Sequence, residues 1–205
     1  MYHGERFNSV THLVGASLAL AGAAALIVLA SLHGDAKRIV SVSIYGASLL
    51  SLYTVSTLYH SLRGRAKRVF RQLDHTAIYI LIAGTYTPLT LVVLGGRLGW
   101  WLFGAVWALA AIGMVQEFRK VQGERVLSVV LYVAMGWLGV VAFGPLFRVI
   151  GTGGLAGLLA GGLFYTAGIG FYAFDRRLPV FHGIWHLFVL AGSVAHYIVV
   201  LAYAT

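Results

Sequence analysis

Residues 39–60 read IVSVSIYGASLLSLYTVSTLYH and contain no aspartate, glutamate, lysine or arginine. As a helix, this stretch is about 33 Å long, enough to cross the ~30 Å hydrocarbon core of a bilayer. The sequence therefore predicts a transmembrane helix here. Its last turns carry Ser56-x-x-x-His60, which places two polar side chains near one membrane surface.

The composition of the whole chain agrees with a membrane protein. The 205 residues are 60% hydrophobic and 10% charged, with a mean hydropathy of +0.86, whereas about a quarter of the residues in soluble domains are charged. Cysteine is absent, which excludes disulfides and thiolate metal ligands. The net charge of +9 does not indicate nucleic-acid binding, because the basic residues lie between apolar segments, as membrane-flanking charges do. We expect one domain over residues 1–205.

The remaining chain contains six more apolar stretches of similar length. Together they predict an all-α, polytopic bundle of seven transmembrane helices, at residues 12–32, 39–60, 74–94, 98–117, 126–147, 152–173 and 181–203. The fifth stretch is interrupted by Gly144-Pro145, so its limits are the least defined.

The basic residues predict the orientation of this bundle. With seven spans, 11 lysines and arginines lie on the side of the N-terminus and 4 on the other side. The positive-inside rule then places the N-terminus in the cytoplasm and the C-terminus outside. We expect a multi-pass protein of the cell membrane.

Small residues suggest how the helices pack. Gly153, Gly157 and Gly161 share one face of the sixth predicted span at four-residue spacing. Such faces let helices approach closely in a bilayer, and the pattern favours packing within the bundle over a dimer interface. The oligomeric state is otherwise not indicated.

A candidate metal site follows from the topology. His60, Asp74, His182 and His186 all lie at span ends on the predicted cytoplasmic side. His182 and His186 are four residues apart, so both rings can face one metal ion. Three neutral imidazoles and a water molecule form an open tetrahedral site of the kind that catalytic Zn²⁺ uses.

Simpler interpretations exist for each of these residues. Histidines near membrane interfaces can bond to headgroups or backbone carbonyls, and Asp74 can pair with Arg71. Asp74 has a better use beside zinc, where a carboxylate can hold and polarise a water molecule next to the metal.

Several other polar residues are expected to have lesser roles. Glu5 either approaches the site or caps the first helix, and His12 is expected to pack or to form a hydrogen bond. His75 points away from Asp74, towards surrounding groups or the interface. His196 lies about 15 Å deeper than the predicted ligands and indicates a cavity or an interhelical hydrogen bond. Glu117 is expected to face solvent.

Several motifs resemble those of haemolysin III-like proteins, the bacterial branch of the progestin and adipoQ receptor family. The matching motifs are Glu5-x-x-Asn8-x-x-Thr11-His12, Ser56-x-x-x-His60, Leu73-Asp74-His75, residues 82–88 (IAGTYTP) and His182-x-x-x-His186. The resemblance implies seven helices and a cytoplasmic N-terminus. It also implies zinc held by His60, His182 and His186, with a water between the metal and Asp74 and with Ser56 nearby. The wider superfamily includes ceramidase-like membrane hydrolases.

Three functions are therefore open. The first is a zinc-dependent hydrolase of lipid-like amides or esters at the cytoplasmic leaflet, with Asp74 as general base and Ser56 as hydrogen-bond donor. Its partners would be membrane lipids, with the substrate in an intramembrane cavity. The second is a non-catalytic regulator of membrane homeostasis or fluidity with a structural zinc. The third, a pore-forming haemolysin, is disfavoured because every acidic residue lies at a segment end or in a loop.

Overall fold

The computed structural model describes residues 4–119, 125–178 and 180–205, which form α-helices joined by short turns and contain no strand. The α-helices are α1 (Arg6–Leu32), α2 (Ala36–Ser61), α3 (Gly64–Pro88), α4 (Gly96–Arg119), α5 (Val126–Trp137), α6 (Phe143–Phe174) and α7 (Val180–Ala204). A π-helix, Leu89–Leu94, extends α3, and a 3-10 helix, Leu138–Ala142, joins α5 to α6. The all-α prediction is confirmed.

Six helical stretches of the described chain are long and apolar enough to cross a membrane. One of them, Val126–Phe174, has 49 residues and includes the fifth and sixth predicted spans. A straight helix of that length would measure about 73 Å, more than twice the hydrocarbon thickness. The stretch is broken at Gly151, where φ is 60° and ψ is −167°.

The break lies at Gly151 and not at Gly144-Pro145, where the sequence suggested an interruption. Pro145 is the third residue of α6. In the first turn of a helix the amide lost by proline has no intrahelical acceptor, so proline is tolerated there. Gly151 adopts a left-handed φ, which costs glycine little and other residues much more.

Helix α3 begins ten residues earlier than the predicted span at 74. Arg63 caps its start and its first turns carry four more basic residues up to Arg71, so this part of the helix does not form an apolar run. At its other end, Gly95 and Gly96 both have positive φ, at 63° and 57°, and turn the chain directly into α4. α3 therefore extends beyond its apolar part on the side that carries the candidate ligands.

Interhelical contacts give the relative directions of the helices. Ser61 at the end of α2 donates a hydrogen bond to Ser9 at the start of α1 (3.3 Å), so these two helices are antiparallel. α7 runs parallel to α1, because Gly183 packs against Phe7 at one end and Tyr197 donates to the carbonyl of Gly22 (3.1 Å) further along.

The second half of the bundle is ordered in the same way. Tyr132 of α5 donates to the carbonyl of His75 (2.9 Å), and Tyr86 donates to the carbonyl of Gly136 (2.9 Å), so α5 runs parallel to α3. Tyr165 of α6 shares a hydrogen bond with Ser193 of α7 (2.8 Å), while the residues of α6 that follow approach the start of α7. These directions bring the ends of α2 and α6 and the starts of α1, α3, α5 and α7 together at one end of the bundle.

The glycine face of α6 packs largely inside the molecule. A Cβ added at Gly157 would lie 2.6 Å from a methyl of Val199, and Gly161 is in direct contact with the ring of His196. Gly153 faces open space. Packing within the bundle is thus confirmed for Gly157 and Gly161, which allow α6 to approach α7 closely.

Candidate metal centre

Three histidines meet at the end of the bundle where α2 finishes and α7 begins. His60 is the next-to-last residue of α2, and His182 and His186 lie in the first turns of α7. One ligand nitrogen from each ring lies within 4.8 Å of the others. The ring centroids are 4.8–5.0 Å apart, and His60 and His186 are each only 2% exposed. The structure brings together the three residues that the sequence predicted as ligands.

Two of the rings are fixed from outside by carboxylates. His60 Nδ1 donates a hydrogen bond to Glu5 Oε2 at 2.6 Å, and His182 Nδ1 donates to Asp175 Oδ2 at 2.7 Å. A carboxylate accepts the Nδ1 proton and so leaves Nε2 as the ring's metal-binding atom, as outer partners of metal-bound histidines commonly do.

The third ring is fixed by α1. His186 Nδ1 lies 3.2 Å from the backbone carbonyl oxygen of Asn8 and 3.3 Å from Thr11 Oγ1. Since Thr11 already donates its own proton to backbone carbonyls, it accepts from His186. All three histidines therefore carry their proton on Nδ1 and keep Nε2 available.

The available nitrogens suit a metal ion. His60 Nε2 is buried and has no hydrogen-bond partner among the residues that the structure describes. A buried nitrogen without a partner is costly, and a cation held by three imidazoles would satisfy it. Three neutral histidines with a fourth position open are a donor set that Zn²⁺ uses in catalytic sites, so the residues present fit zinc.

Glu5 is held ionised by several donors. Burial raises the pKa of its carboxyl, but hydrogen bonds from His60, Lys67 and Asn8 outweigh burial and lower the pKa well below its usual range. The Lys67 Nζ lies 2.6 Å from Glu5 Oε1, and Asn8 Nδ2 lies 2.9 Å from Oε2. Glu5 thus joins α1, α2 and α3 around the histidine cluster.

Asp175 is likewise held ionised and holds the ring of His182, as Glu5 holds that of His60. Burial raises its pKa, and hydrogen bonds from His182 and Arg125 more than compensate, so that the pKa is lowered overall. Arg125 Nη1 lies 2.7 Å from Asp175 Oδ1. Arg125 at the start of α5, the end of α6 and the start of α7 are joined through this carboxylate.

A largely apolar cavity of about 130 Å³ extends from the cluster into the bundle. Asp74, Ser56, His182 and His186 all line it. Ser56 is 1% exposed, and its Oγ has no hydrogen-bond partner in the described part of the chain. The carboxylate of Asp74 lies outside the group of three histidines, and its predicted action on a water beside the metal stays a prediction.

A second cavity of about 100 Å³ adjoins the first towards the other end of the bundle. The two cavities share a set of lining residues: Thr85, Tyr86, Gly136, Trp137, Gly162 and His196. The lining of the second cavity includes six leucines of α6 and of the π-helix. Together the two cavities form a largely apolar space that begins at the histidine cluster and continues into the bundle.

The deeper histidines occupy the places that the sequence suggested. His196 Nε2 donates to the backbone carbonyl of Leu158 at 3.0 Å, which confirms the expected interhelical hydrogen bond. The ring of His12 stacks on His186, with centroids 3.6 Å apart and an angle of 14° between planes. His12 therefore packs directly against a candidate ligand, in agreement with its predicted packing role.

The environments of two acidic residues, Glu117 and Asp175, do not follow from the sequence predictions. Glu117 was expected to face solvent but is 1% exposed, because it bonds to His75 Nδ1 (2.8 Å) and to Ser128 Oγ (2.8 Å). Asp175 has a signal in the sequence, because it lies seven residues before the His182-x-x-x-His186 pair. Such pairings depend on how α4, α5 and the α6–α7 turn pack, which spacing alone does not give.

Comparisons with known proteins agree with these features. A profile described as "Haemolysin-III related" matches residues 1–197. The chain is 43% identical to Hemolysin-3 of Bacillus cereus over 97% of its length and 91% of that protein. It is 42% identical to the Hemolysin-3 homolog of Bacillus subtilis (strain 168), over 97% and 93%, respectively. It is 31% identical to the human Monocyte to macrophage differentiation factor, over 96% and 82%. The chain therefore belongs to the haemolysin III-related family of integral membrane proteins and is itself a multi-pass membrane protein.

Proposed function

We propose that this protein is a zinc-dependent hydrolase of lipid-like amides or esters at the cytoplasmic leaflet. The observation that carries this proposal is the orientation of His60, His182 and His186, each fixed through Nδ1 at the head of an apolar cavity. A purely structural use of these rings would not require an adjoining space in which an alkyl chain could lie.

The surrounding residues suit hydrolysis. Zinc, when bound, would polarise a carbonyl and lower the pKa of a water molecule towards ~7. Asp74, which shares the cavity, would accept the proton of the attacking water. Ser56 Oγ, buried and without a partner among the described residues, would donate a hydrogen bond to the carbonyl oxygen as negative charge develops there.

The proposal also includes a topology of seven spans with the N-terminus in the cytoplasm. Parallel packing of α1 and α7 supports it, because two parallel spans at the ends of a chain require an odd number of crossings. The break at Gly151 supports a double crossing by Val126–Phe174. The asymmetry of 11 basic residues to 4 supports a cytoplasmic site.

The experiment combines metal analysis with substrate turnover. Purified protein should contain one zinc per chain and should cleave a ceramide-like amide or a lysolipid ester presented in mixed micelles. The Asp74→Asn variant preserves shape but cannot accept the proton, so zinc should stay while turnover falls by ~10²–10⁴-fold. Loss of zinc in this variant would make Asp74 a direct ligand and would remove the main support for the proposal.

A non-catalytic regulator of membrane state is the second candidate. It is favoured by the way in which the histidines and their partners connect α1, α2, α3 and α7, since a bound metal would clamp these helices. Asp74→Asn would then leave both zinc content and the membrane phenotype of a deletion strain unchanged.

A pore is the third candidate and rests on the name Hemolysin-3 that two relatives carry. Both cavities of the described chain are largely apolar, unlike the lining of an aqueous channel. Release of a dye from vesicles that contain the purified protein would support the pore against the hydrolase.

A further inference from the structure

A second buried histidine–carboxylate pair lies beside the candidate metal centre. Glu117, near the end of α4, is 1% exposed, and its Oε1 accepts a hydrogen bond from His75 Nδ1 at 2.8 Å. Its other oxygen accepts from Ser128 of α5 at 2.8 Å. Burying a carboxylate in a membrane bundle is expensive, and such residues are functional candidates by default.

The geometry of this pair repeats that of the predicted ligands. In His60–Glu5 and His182–Asp175, as in His75–Glu117, the carboxylate holds Nδ1 and so determines which nitrogen carries the proton. The Nε2 of His75 is thereby left to accept or donate a proton on the other side of the ring. Yet His75 lies outside the group of nitrogens that could share one metal ion.

The position of His75 gives its ring access to the cavity. His75 lines the same apolar cavity as Asp74, His182 and His186, and its side chain is 23% exposed. Its backbone is held separately, because Tyr132 donates to the His75 carbonyl at 2.9 Å. The Tyr132 bond connects α5 to α3, and Gln72 connects α3 to α4 because it donates to the Glu117 carbonyl at 2.9 Å. A clamp between α3, α4 and α5 therefore does not need the imidazole.

We propose that His75, oriented by Glu117, is the proton donor to the leaving group; this inference rests on the proposed hydrolase function. Water attacks the carbonyl carbon and gives one proton to Asp74. The bond from that carbon to the amide nitrogen then breaks, and its electron pair stays on nitrogen. His75 in its imidazolium form, with Nδ1–H held by Glu117, supplies the proton on Nε2 that the departing amine needs and becomes neutral. Transfer of the proton from Asp74 to His75, directly or through water, restores both groups, so that one water is consumed for each acid and amine released.

Two variants of His75 separate proton transfer from packing. His75→Asn places an amide NH₂ near the position of Nδ1 and keeps a donor for Glu117, but it has nothing at the position of Nε2. His75→Gln places its amide near the position of Nε2 and loses the bond to Glu117. A structural role predicts that the Asn variant is the milder of the two, whereas a proton donor at Nε2 predicts that both variants fail.

The substrates form the second part of the test. One long-chain acyl group is offered to the zinc-loaded protein as an alkylamide, whose amine must be protonated to leave, and as a p-nitrophenyl ester, whose phenolate leaves without a proton. His75→Asn should lower kcat on the alkylamide by ~10²–10⁴-fold and on the nitrophenyl ester by less than ~10-fold. Equal losses on both substrates overturn the inference while leaving the hydrolase intact. A zinc-loaded wild-type protein that cleaves neither substrate refutes the hydrolase, and the inference with it.

A further readout does not depend on activity. Nitrogen NMR of zinc-free protein with ¹⁵N-labelled histidine, assigned by the loss of one signal pair in His75→Asn, reports which ring nitrogen is protonated. The inference requires a proton on Nδ1 in the wild type and a redistribution between the two nitrogens in Glu117→Gln. A neutral His75 protonated only at Nε2 in the wild type overturns it.

Discussion

The carboxylates behind His60 and His182 should determine how tightly the site binds zinc. Glu5→Gln keeps an oxygen that can accept from His60 Nδ1 but removes the charge that makes the 2.6 Å bond strong. Loss of an outer partner of this kind typically weakens metal binding by ~10–100-fold, which corresponds to about 1.4–2.7 kcal/mol. Asp175→Asn should act similarly through the 2.7 Å bond to His182.

The two effects should combine in a predictable way. Glu5 and Asp175 contact different ligands and have separate second partners, Lys67 and Arg125. Independent contributions add in free energy, so the double variant should bind zinc ~10²–10⁴-fold more weakly than the wild type. The contribution of His186 to zinc affinity should be the same in all these variants, because its Nδ1 bonds to a backbone carbonyl that no side-chain substitution removes.

Competition with a chromogenic zinc chelator in detergent micelles measures these affinities. Asp35→Asn is the matched control: it neutralises an acid that caps α2 at the opposite end, where it accepts from the Lys37 amide at 2.8 Å. Its zinc affinity should equal that of the wild type. The reasoning is refuted if Glu5→Gln and Asp175→Asn bind zinc as tightly as the wild type, or if Asp35→Asn weakens binding as much as they do.

Further predictions concern the ligands, the topology, the packing and the pH dependence. His186→Ala should lose most of its zinc on elemental analysis, and undiminished zinc would contradict the ligand assignment. A reporter fused after Thr205 should be active only outside the cytoplasm. Activity inside the cytoplasm would show that the bundle has the opposite orientation in the membrane. Gly157→Leu should lower the thermal unfolding midpoint, because even a Cβ there would lie 2.6 Å from Val199, whereas Gly153→Leu, in open space, should not. Because the folded-state pKa values of Glu5 and Asp175 are lowered, their contribution to the stability of the zinc-free protein is full above about pH 4 and is lost as the pH falls below that value. Acid titration of thermal unfolding should show a smaller loss of stability in Glu5→Gln than in the wild type.

Much of the candidate site could be predicted from sequence because membrane topology restricts depth. Once spans are assigned, His60 and His182 must lie at the same surface, and four-residue spacing brings His186 to the same side of α7. This reasoning needs only helix geometry and the thickness of a bilayer. It does not need to know which helices are neighbours.

The partners of these residues could not be predicted in the same way. That Glu5 accepts from His60, and Glu117 from His75, depends on the lateral order of α1, α2, α3 and α4 and on side-chain rotamers. Sequence spacing contains neither. The same limit explains the break at Gly151, since the chain there has several glycines and a proline, and packing decides which of them leaves the helix.

The origin of the three histidines has a consequence for the biosynthesis of the protein. His60 belongs to α2, whereas His182 and His186 belong to the last helix, so more than half of the chain is synthesised between the first ligand and the other two. The ring of His186 is in turn positioned by Asn8 of the first helix. A nascent chain can therefore hold the metal at this site only after its final helix has been inserted and has packed beside its first. Zinc capture would mark the completion of membrane insertion, and a chain truncated before residue 182 could not reach that state.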